Sequence, residues 1–305
     1  MLDLIIVGSS AAGSAAGIWA ARRNLNFKII TLDTEGEVAL SGEVSNYPGI
    51  IETNGFDLAK KFKEHLDYYK VDIQIDSEVK EIKKEGNVFI VFGVRFNKKF
   101  EEKSKTVILA TGSKPKHLNI PGEKELYHKG ISYCTVCDGP LFKDKIVATV
   151  GGGNSALESA IMLSTLAKKI YLINKNPEFK GDKILEEKIK NLPNVEIIIN
   201  ALTQEIKGGN FVEKLVYKDR DDKIKELNVD GIFVHIGMIP NSQMAPREAQ
   251  KNQFGEIEIN AKCETSLPGF FAAGDVTNVP YKQIAIATGQ GACAALSAIS
   301  YINSR

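Results

Sequence analysis

Leu4-Ile5-Ile6-Val7-Gly8-Ser9-Ser10-Ala11-Ala12-Gly13 runs from an apolar strand through a glycine-rich turn into a helix of small residues. An unbroken apolar strand of this length suits burial on both faces, as in a parallel sheet. The turn approaches G-x-G-x-x-G, with Ser10 where the second glycine normally lets the backbone reach a pyrophosphate. Asp33 follows Gly13 by about twenty residues, the usual distance to a carboxylate that bonds an adenosine ribose hydroxyl.

The same order of events returns in the second half. Lys145 to Val150 reads as a strand and enters Gly151-Gly152-Gly153-Asn154-Ser155-Ala156, a full G-x-G-x-x-A turn. A pyrophosphate is expected at the amino end of the helix starting near Ser155, where free N–H groups and the helix dipole favour an anion. Second strands follow at Phe27 to Leu32 and Lys169 to Ile173. Antiparallel stretches carry Val88 to Val94 and Phe211 to Tyr217, and buried strands close each half at Thr106 to Gly112 and Gly231 to Gly237. Two strand-turn-helix-strand units predict an α/β fold with two Rossmann-like βαβ dinucleotide-binding domains of three-layer ββα/βαβ character.

A last segment complicates a plain tandem. Phe270 to Ala273 reads as one more buried strand ending at Gly274-Asp275, and Gln283 to Ile302 as a long helix of small residues. It has no counterpart after the closing strand of the second half. It is therefore expected to complete the first domain, giving a discontinuous domain of residues 1–112 and 247–305 with residues 113–246 inserted.

Composition narrows the function classes. Lys and Arg number 39 against 38 Asp and Glu, a net charge of +1 that provides no footprint for nucleic acid or an anionic membrane. The uncharged run from Leu4 to Ala21 is preceded by Asp3 instead of a basic segment and is interrupted by Gly8, Gly13 and Gly17, so it does not read as a membrane span or leader, and a cytoplasmic location is expected. Four cysteines are too few for a disulfide framework in a chain of 305 residues. Cys134-Thr135-Val136-Cys137 reads as either a redox disulfide or half of a metal site. The metal reading lacks a second such pair, and no metal is expected. Asp138 is a candidate proton donor to a departing thiolate, although Asp-Gly is also an ordinary turn. Cys263 and Cys293 sit among small and apolar residues and read as buried core thiols; the four histidines show no ligand spacing.

After Asn174 the second nucleotide site carries neither an acid for a ribose hydroxyl nor arginines for a 2′-phosphate. Lys175 and Lys180 could supply point charges to such a phosphate or be solvated loop lysines.

The chain resembles the low-molecular-weight thioredoxin reductases over nearly its whole length. The first glycine turn, Glu43 to Gly49, Ala110-Thr111-Gly112, the cysteine segment, Gly151 to Ala156, Gly237 to Asn241, Phe271 to Val276 and Tyr281-Lys282-Gln283 carry the likeness in order. The resemblance implies an FAD-dependent reductase that takes electrons from NADPH or NADH and passes them through a Cys134–Cys137 disulfide to a thioredoxin-like protein. It further implies a homodimer and a swivel of the inserted domain about its linkers. FAD contacts are implied at Gly8, Ser10, Ala11, Ala12, Gly13, Asp33, Glu37, Asn46, Ala110, Thr111, Gly112, Gly274, Asp275, Lys282, Gln283 and Ile284. Contacts to the nicotinamide dinucleotide are implied at Gly151, Gly153, Asn154, Ser155, Ala156, Lys175, Lys180 and Gly237. Cys134, Cys137 and Asp138 match the catalytic group, Cys137 being the cysteine nearer the flavin. The chain departs from the family at Gly36-Glu37-Val38, where Gly-Gly-Gln is common, and at Asn174-Lys175-Asn176, where a His-Arg-Arg signature for NADPH is common. Rival acceptors are a peroxiredoxin or a glutaredoxin-like protein, a rival donor is ferredoxin, and a non-enzymatic alternative is a flavin-binding redox sensor.

Overall fold

The computed structural model describes every residue except Leu40, Gly42 and Arg305, and describes Glu43 and Cys137 without their side chains. The chain divides into two compact units, Met1–Lys114 with Ile239–Arg305, and Pro115–Met238. The first crossing falls close to the expected position, whereas the second comes earlier than Pro246. Hydrogen bonding explains the difference: Asn241 donates from its backbone N–H to Gly112 O at 3.0 Å and from Nδ2 to Thr111 O at 3.0 Å, and accepts from Thr111 Oγ1 at 2.6 Å. Residues 239–246 are thereby tied to the first unit. The two crossing segments, Ser113–Pro115 and Met238–Pro240, pair with each other as a two-stranded sheet.

In the first unit, Leu2–Val7 lies within a parallel array ordered Ile73–Gln74, Phe27–Ile30, Leu2–Val7, the end of Lys98–Leu109, and Phe270–Ala272. The early part of Lys98–Leu109 instead pairs antiparallel with Val88–Arg95, which pairs with Ser77–Glu85. Side chains alternate across the parallel array, as the period of two in a strand requires. Leu4 and Ile6 join Ile108 and Phe271 on one face, while Ile5 and Val7 join Val107, Leu109 and Phe270 on the other. All four residues of Leu4–Val7 are buried, and each contributes about 1.5–3 kcal/mol of transfer free energy. This double burial accounts for the unbroken apolar run.

The second unit repeats the design with an all-parallel sheet ordered Ile131–Ser132, Gly231–Val234, Ile146–Val150, Lys169–Ile173 and Val195–Ile198. Leu202–Gly208, Val212–Lys218 and Ile224–Asn228 form its antiparallel layer. Ile131–Ser132 occupies the edge position that Phe270–Ala272 occupies in the first unit. The counterpart absent from the end of the second half is thus supplied from ahead of its glycine turn. In open α/β sheets ligands gather at the carboxyl ends of strands. The equivalent strand end leads into Gly274-Asp275 in one unit and into Cys134 in the other.

Candidate active site

Each unit holds a cavity headed by its glycine turn. The first, about 610 Å³, is lined by Gly8 to Ala12, Asp33, Glu37, Ala110 to Gly112, Gly274, Asp275 and Lys282 to Ile284, among others. The second, about 500 Å³, is lined by Gly151 to Ser155, Lys175, Lys180 and Gly237, together with His117, Asn174, Thr203 and His235.

The glycines have one shared physical reason. A Cβ on Gly8, at φ +100°, would stand 2.3 Å from the carbonyl oxygen of Ala110, and one on Gly151 would stand 2.1 Å from that of His235. In both units the turn passes against the end of the closing strand too closely for any side chain. Gly13 and Ala156, expected as ligand contacts, do not line the cavities. Gly13 packs behind the turn, where a Cβ would lie 1.9 Å from Gly8 O, and Ala156 is fully buried.

The helices that follow open their amino ends toward these cavities without self-satisfaction. Ser10, the cap of Ala11–Arg22, and Gly153, the cap of Asn154–Ser164, make no side-chain capping bond, and neither helix has an acid in its first turn. Ser10 Oγ instead donates to Glu35 O at 2.8 Å. Gln283, at the head of Ile284–Asn303, likewise makes no side-chain cap and also lines the first cavity. Uncapped N–H groups at a dipole's positive end suit a phosphate.

The two donor sets differ beyond that. Asp33, Glu37, Glu78 and Asp275 bring four carboxyl groups to the first cavity, that of Glu78 paired with Lys80. Burial raises the Asp275 carboxyl above the usual range despite the opposing charge of Lys282, and Glu256 adds to the rise. Desolvation, then the charges of Asp275 and Asp33, raises Glu37 in the same direction. Carboxylates crowded in this way favour a ligand that brings hydroxyl donors to them. Lys282 is held by Glu256 at 2.8 Å and donates to Asp275 O at 3.2 Å, so it braces the loop. Asn46 does not line the cavity but donates from Nδ2 to Gln283 Oε1 at 3.2 Å, which places it behind that residue.

Among the described residues, the second cavity is lined by no carboxylate and by Lys116, Lys175 and Lys180. Asn174 is buried and shapes its loop, donating to Glu178 O at 2.8 Å and accepting from the N–H of Asn176 at 3.1 Å. Among the described residues, the buried side-chain oxygens without a hydrogen-bond partner are Ser9 Oγ and Thr203 Oγ1. One lines each cavity. Buried polar atoms without partners are rare in folded proteins, so their placement marks both cavities as ligand sites. The first set fits FAD, whose ribose and ribityl hydroxyls and pyrophosphate match the carboxyls and the helix ends. The second fits a nicotinamide dinucleotide.

The cysteine segment lies in the second unit. Cys134 is disulfide-bonded, while Cys263 and Cys293 are free; the side chain of Cys137 lies outside the described residues. Cys134 is fastened on its amino side by Ser132, whose Oγ accepts from the Cys134 N–H at 3.0 Å and donates to its carbonyl at 3.1 Å. The next residue, Thr135, opens the short helix Thr135–Asp138 and is buried. Its Oγ1 lies 2.6 Å from Ser159 Oγ and 2.7 Å from His235 Nε2. Burial pushes His235 down to about 4, so it is neutral near pH 7. Asp138 is half-buried at the end of this helix, its N–H bonded to Cys134 O at 3.1 Å. Sequence spacing offers no reason to single out Thr203 or His235, because Thr203 reaches its site from the distant strand Leu202–Gly208 and His235 from just beyond the end of Gly231–Val234.

A family model for pyridine nucleotide-disulphide oxidoreductases matches residues 2–291. A Pseudomonas aeruginosa component of alkyl hydroperoxide reductase is 42% identical over 302 residues, covering 98% of this chain and 58% of that protein. A Bacillus subtilis protein named NADH dehydrogenase is 37% identical, with coverages of 98% and 58%. The chain therefore spans somewhat over half the length of these relatives. The crystal structure of Lactococcus lactis thioredoxin reductase aligns over 100% of both chains, with a TM-score of 0.84 and 28% identity.

Proposed function

Because the chain belongs to the pyridine nucleotide-disulphide oxidoreductase family, and is on that ground an FAD-dependent oxidoreductase, we propose that it reduces the disulfide of a small thioredoxin-like protein at the expense of a nicotinamide dinucleotide. The observation that carries this reading is the disulfide at Cys134, set at the edge-strand end of a unit that also holds a carboxylate-free cavity with an uncapped helix. FAD bound in the first cavity would supply a carrier able to accept a hydride and release its electron pair to a disulfide.

The remaining chemistry falls to the chain. Cys134 and Cys137 form the disulfide that receives the electron pair and becomes a dithiol. The Cys134 thiolate then attacks the partner's disulfide. A mixed disulfide forms, and Cys137 displaces it, regenerating the intramolecular disulfide and releasing the partner as a dithiol. Asp138 delivers the proton to the leaving thiolate. Asp33, Glu37 and Asp275 would accept from the hydroxyls of a bound FAD, and the helix ends at Ser10 and Gly153 would hold the pyrophosphates.

Full-length correspondence with a thioredoxin reductase supports a thioredoxin-like acceptor. The 42% identity to a component of alkyl hydroperoxide reductase supports a second reading, a partner belonging to a peroxide-reducing system. Anaerobic titration of the FAD-loaded protein with NADH and NADPH in turn identifies the donor by flavin bleaching; bleaching by neither overturns the nicotinamide reading. For Cys137→Ser we expect flavin reduction to persist and reduction of a thioredoxin-like disulfide to vanish. Undiminished turnover in that variant removes the dithiol assignment.

A further inference from the structure

We propose that Cys263 and Cys293 form a second redox-active thiol pair, closed to a disulfide by an oxidant of the hydroperoxide class. The proposal is independent of the activity assigned to Cys134.

The two residues belong to different segments of the first unit. Cys263 lies in the loop between Asn260 and Glu264, and Cys293 lies on the helix Ile284–Asn303. Each thiol reaches toward the segment carrying the other: Cys263 Sγ donates to Gln290 O at 3.5 Å, and Cys293 Sγ donates to Ala261 O at 3.4 Å. The two thiols are near enough for Cys293 to act on the Cys263 thiol. This reciprocal crossing sets the two side chains face to face, as closure of a bond requires. The loop is otherwise fastened to the same helix face, with Ser297 Oγ donating to Lys262 O at 2.7 Å.

Their environments divide the labour. Cys263 is 3% exposed, whereas Cys293 is partly exposed and open to a small oxidant. Burial, with the neighbouring Cys293 adding to it, pushes the Cys263 thiol up to about 12, so Cys263 is not the first to react. The Cys293 thiolate attacks the peroxide: an S–O bond forms, the O–O bond breaks, and the departing alkoxide takes a proton to leave as an alcohol. The Cys263 sulfur then attacks Cys293. The S–S bond forms, the S–O bond breaks, and hydroxide leaves with the Cys263 proton as water. The two thiols lose two electrons in total and the peroxide gains them.

Closure would brace the first cavity. Gln290, one turn before Cys293, accepts from the N–H of Gly274 through Oε1 at 2.8 Å, and Gly274 lines that cavity. A staple at Cys293 fixes the helix turn that holds this wall.

The test treats the reduced, FAD-loaded full chain with cumene hydroperoxide under anaerobic conditions, then denatures and alkylates it with N-ethylmaleimide for non-reducing peptide mapping. We expect a peptide linked between Cys263 and Cys293, reversed by dithiothreitol, and a melting temperature raised by roughly 5–10 °C. The link must persist in Cys134→Ser, which removes exchange with the other disulfide as a route. Cys293→Ser must lose both the link and the thermal shift while retaining the turnover of the reduced enzyme. Recovery of both cysteines as alkylated thiols, or of Cys293 as a sulfinic acid beside an alkylated Cys263, overturns the proposal.

Discussion

At the scale of single residues, the interaction of Thr135 with His235 couples the redox segment to a titratable group. In the unfolded chain His235 would bind a proton near pH 6.5, but in the folded chain burial delays this to about pH 4. Between those values the unfolded state holds more protons, so stability falls as pH falls. The folded state is fully favoured above pH 6.5 and loses about 2 kcal/mol by pH 5 from this residue. His235→Gln keeps a side chain able to bond Thr135 Oγ1 but removes the titration. The gap between urea unfolding midpoints at pH 7.5 and pH 5 should narrow by a corresponding amount in the variant. An unchanged gap would show that the pH response arises elsewhere.

Among the elements, the helices Ala11–Arg22 and Ile284–Asn303 come together through small residues. A Cβ on Gly291 would stand 2.0 Å from the carbonyl oxygen of Ala12, a backbone atom that cannot swing aside. Gly289, on the same helix, has open space around it. Gly291→Ala should therefore cost about 1–3 kcal/mol or more through overpacking, while Gly289→Ala should stabilise by up to about 1 kcal/mol through helix propensity. Thermal melts of the two variants should move in opposite directions; a shared direction would contradict the close crossing. The small-residue character of both helices was legible in the sequence because the glycine and alanine runs were long. Ile131–Ser132 was not legible as a strand, since two residues carry no periodicity and only pairing with Gly231–Val234 defines it. The glycine turns were legible for a related reason: Gly8 and Gly151 answer to local backbone crowding that a motif records. Thr203 and His235 answer to contacts made only after folding. Asn46 was read as a flavin neighbour through resemblance, and its bond to Gln283 spans a separation that no local pattern encodes.

For the whole molecule, the internal repetition has a thermodynamic consequence. The four clusters of buried apolar side chains are each confined to one unit: two flank the sheet of Leu2–Val7, and two flank that of Ile146–Val150. Each unit thus carries its own driving force for folding, and calorimetry should resolve two transitions. A ligand stabilises the unit that binds it by about 2.7 kcal/mol at a hundredfold excess over its dissociation constant. If the carboxylate-free cavity takes the nicotinamide dinucleotide, oxidised dinucleotide added to the FAD-loaded protein should raise the transition of Pro115–Met238 by roughly 8–12 °C. The other transition should stay nearly still. FAD removal should reverse the pattern, lowering the transition of the unit that contains Asp275. The two transitions can be assigned by Gly291→Ala, which perturbs only the first unit. Dinucleotide that raises the Gly291-sensitive transition instead would exchange the roles of the two cavities, because a ligand can stabilise only the state to which it binds more tightly.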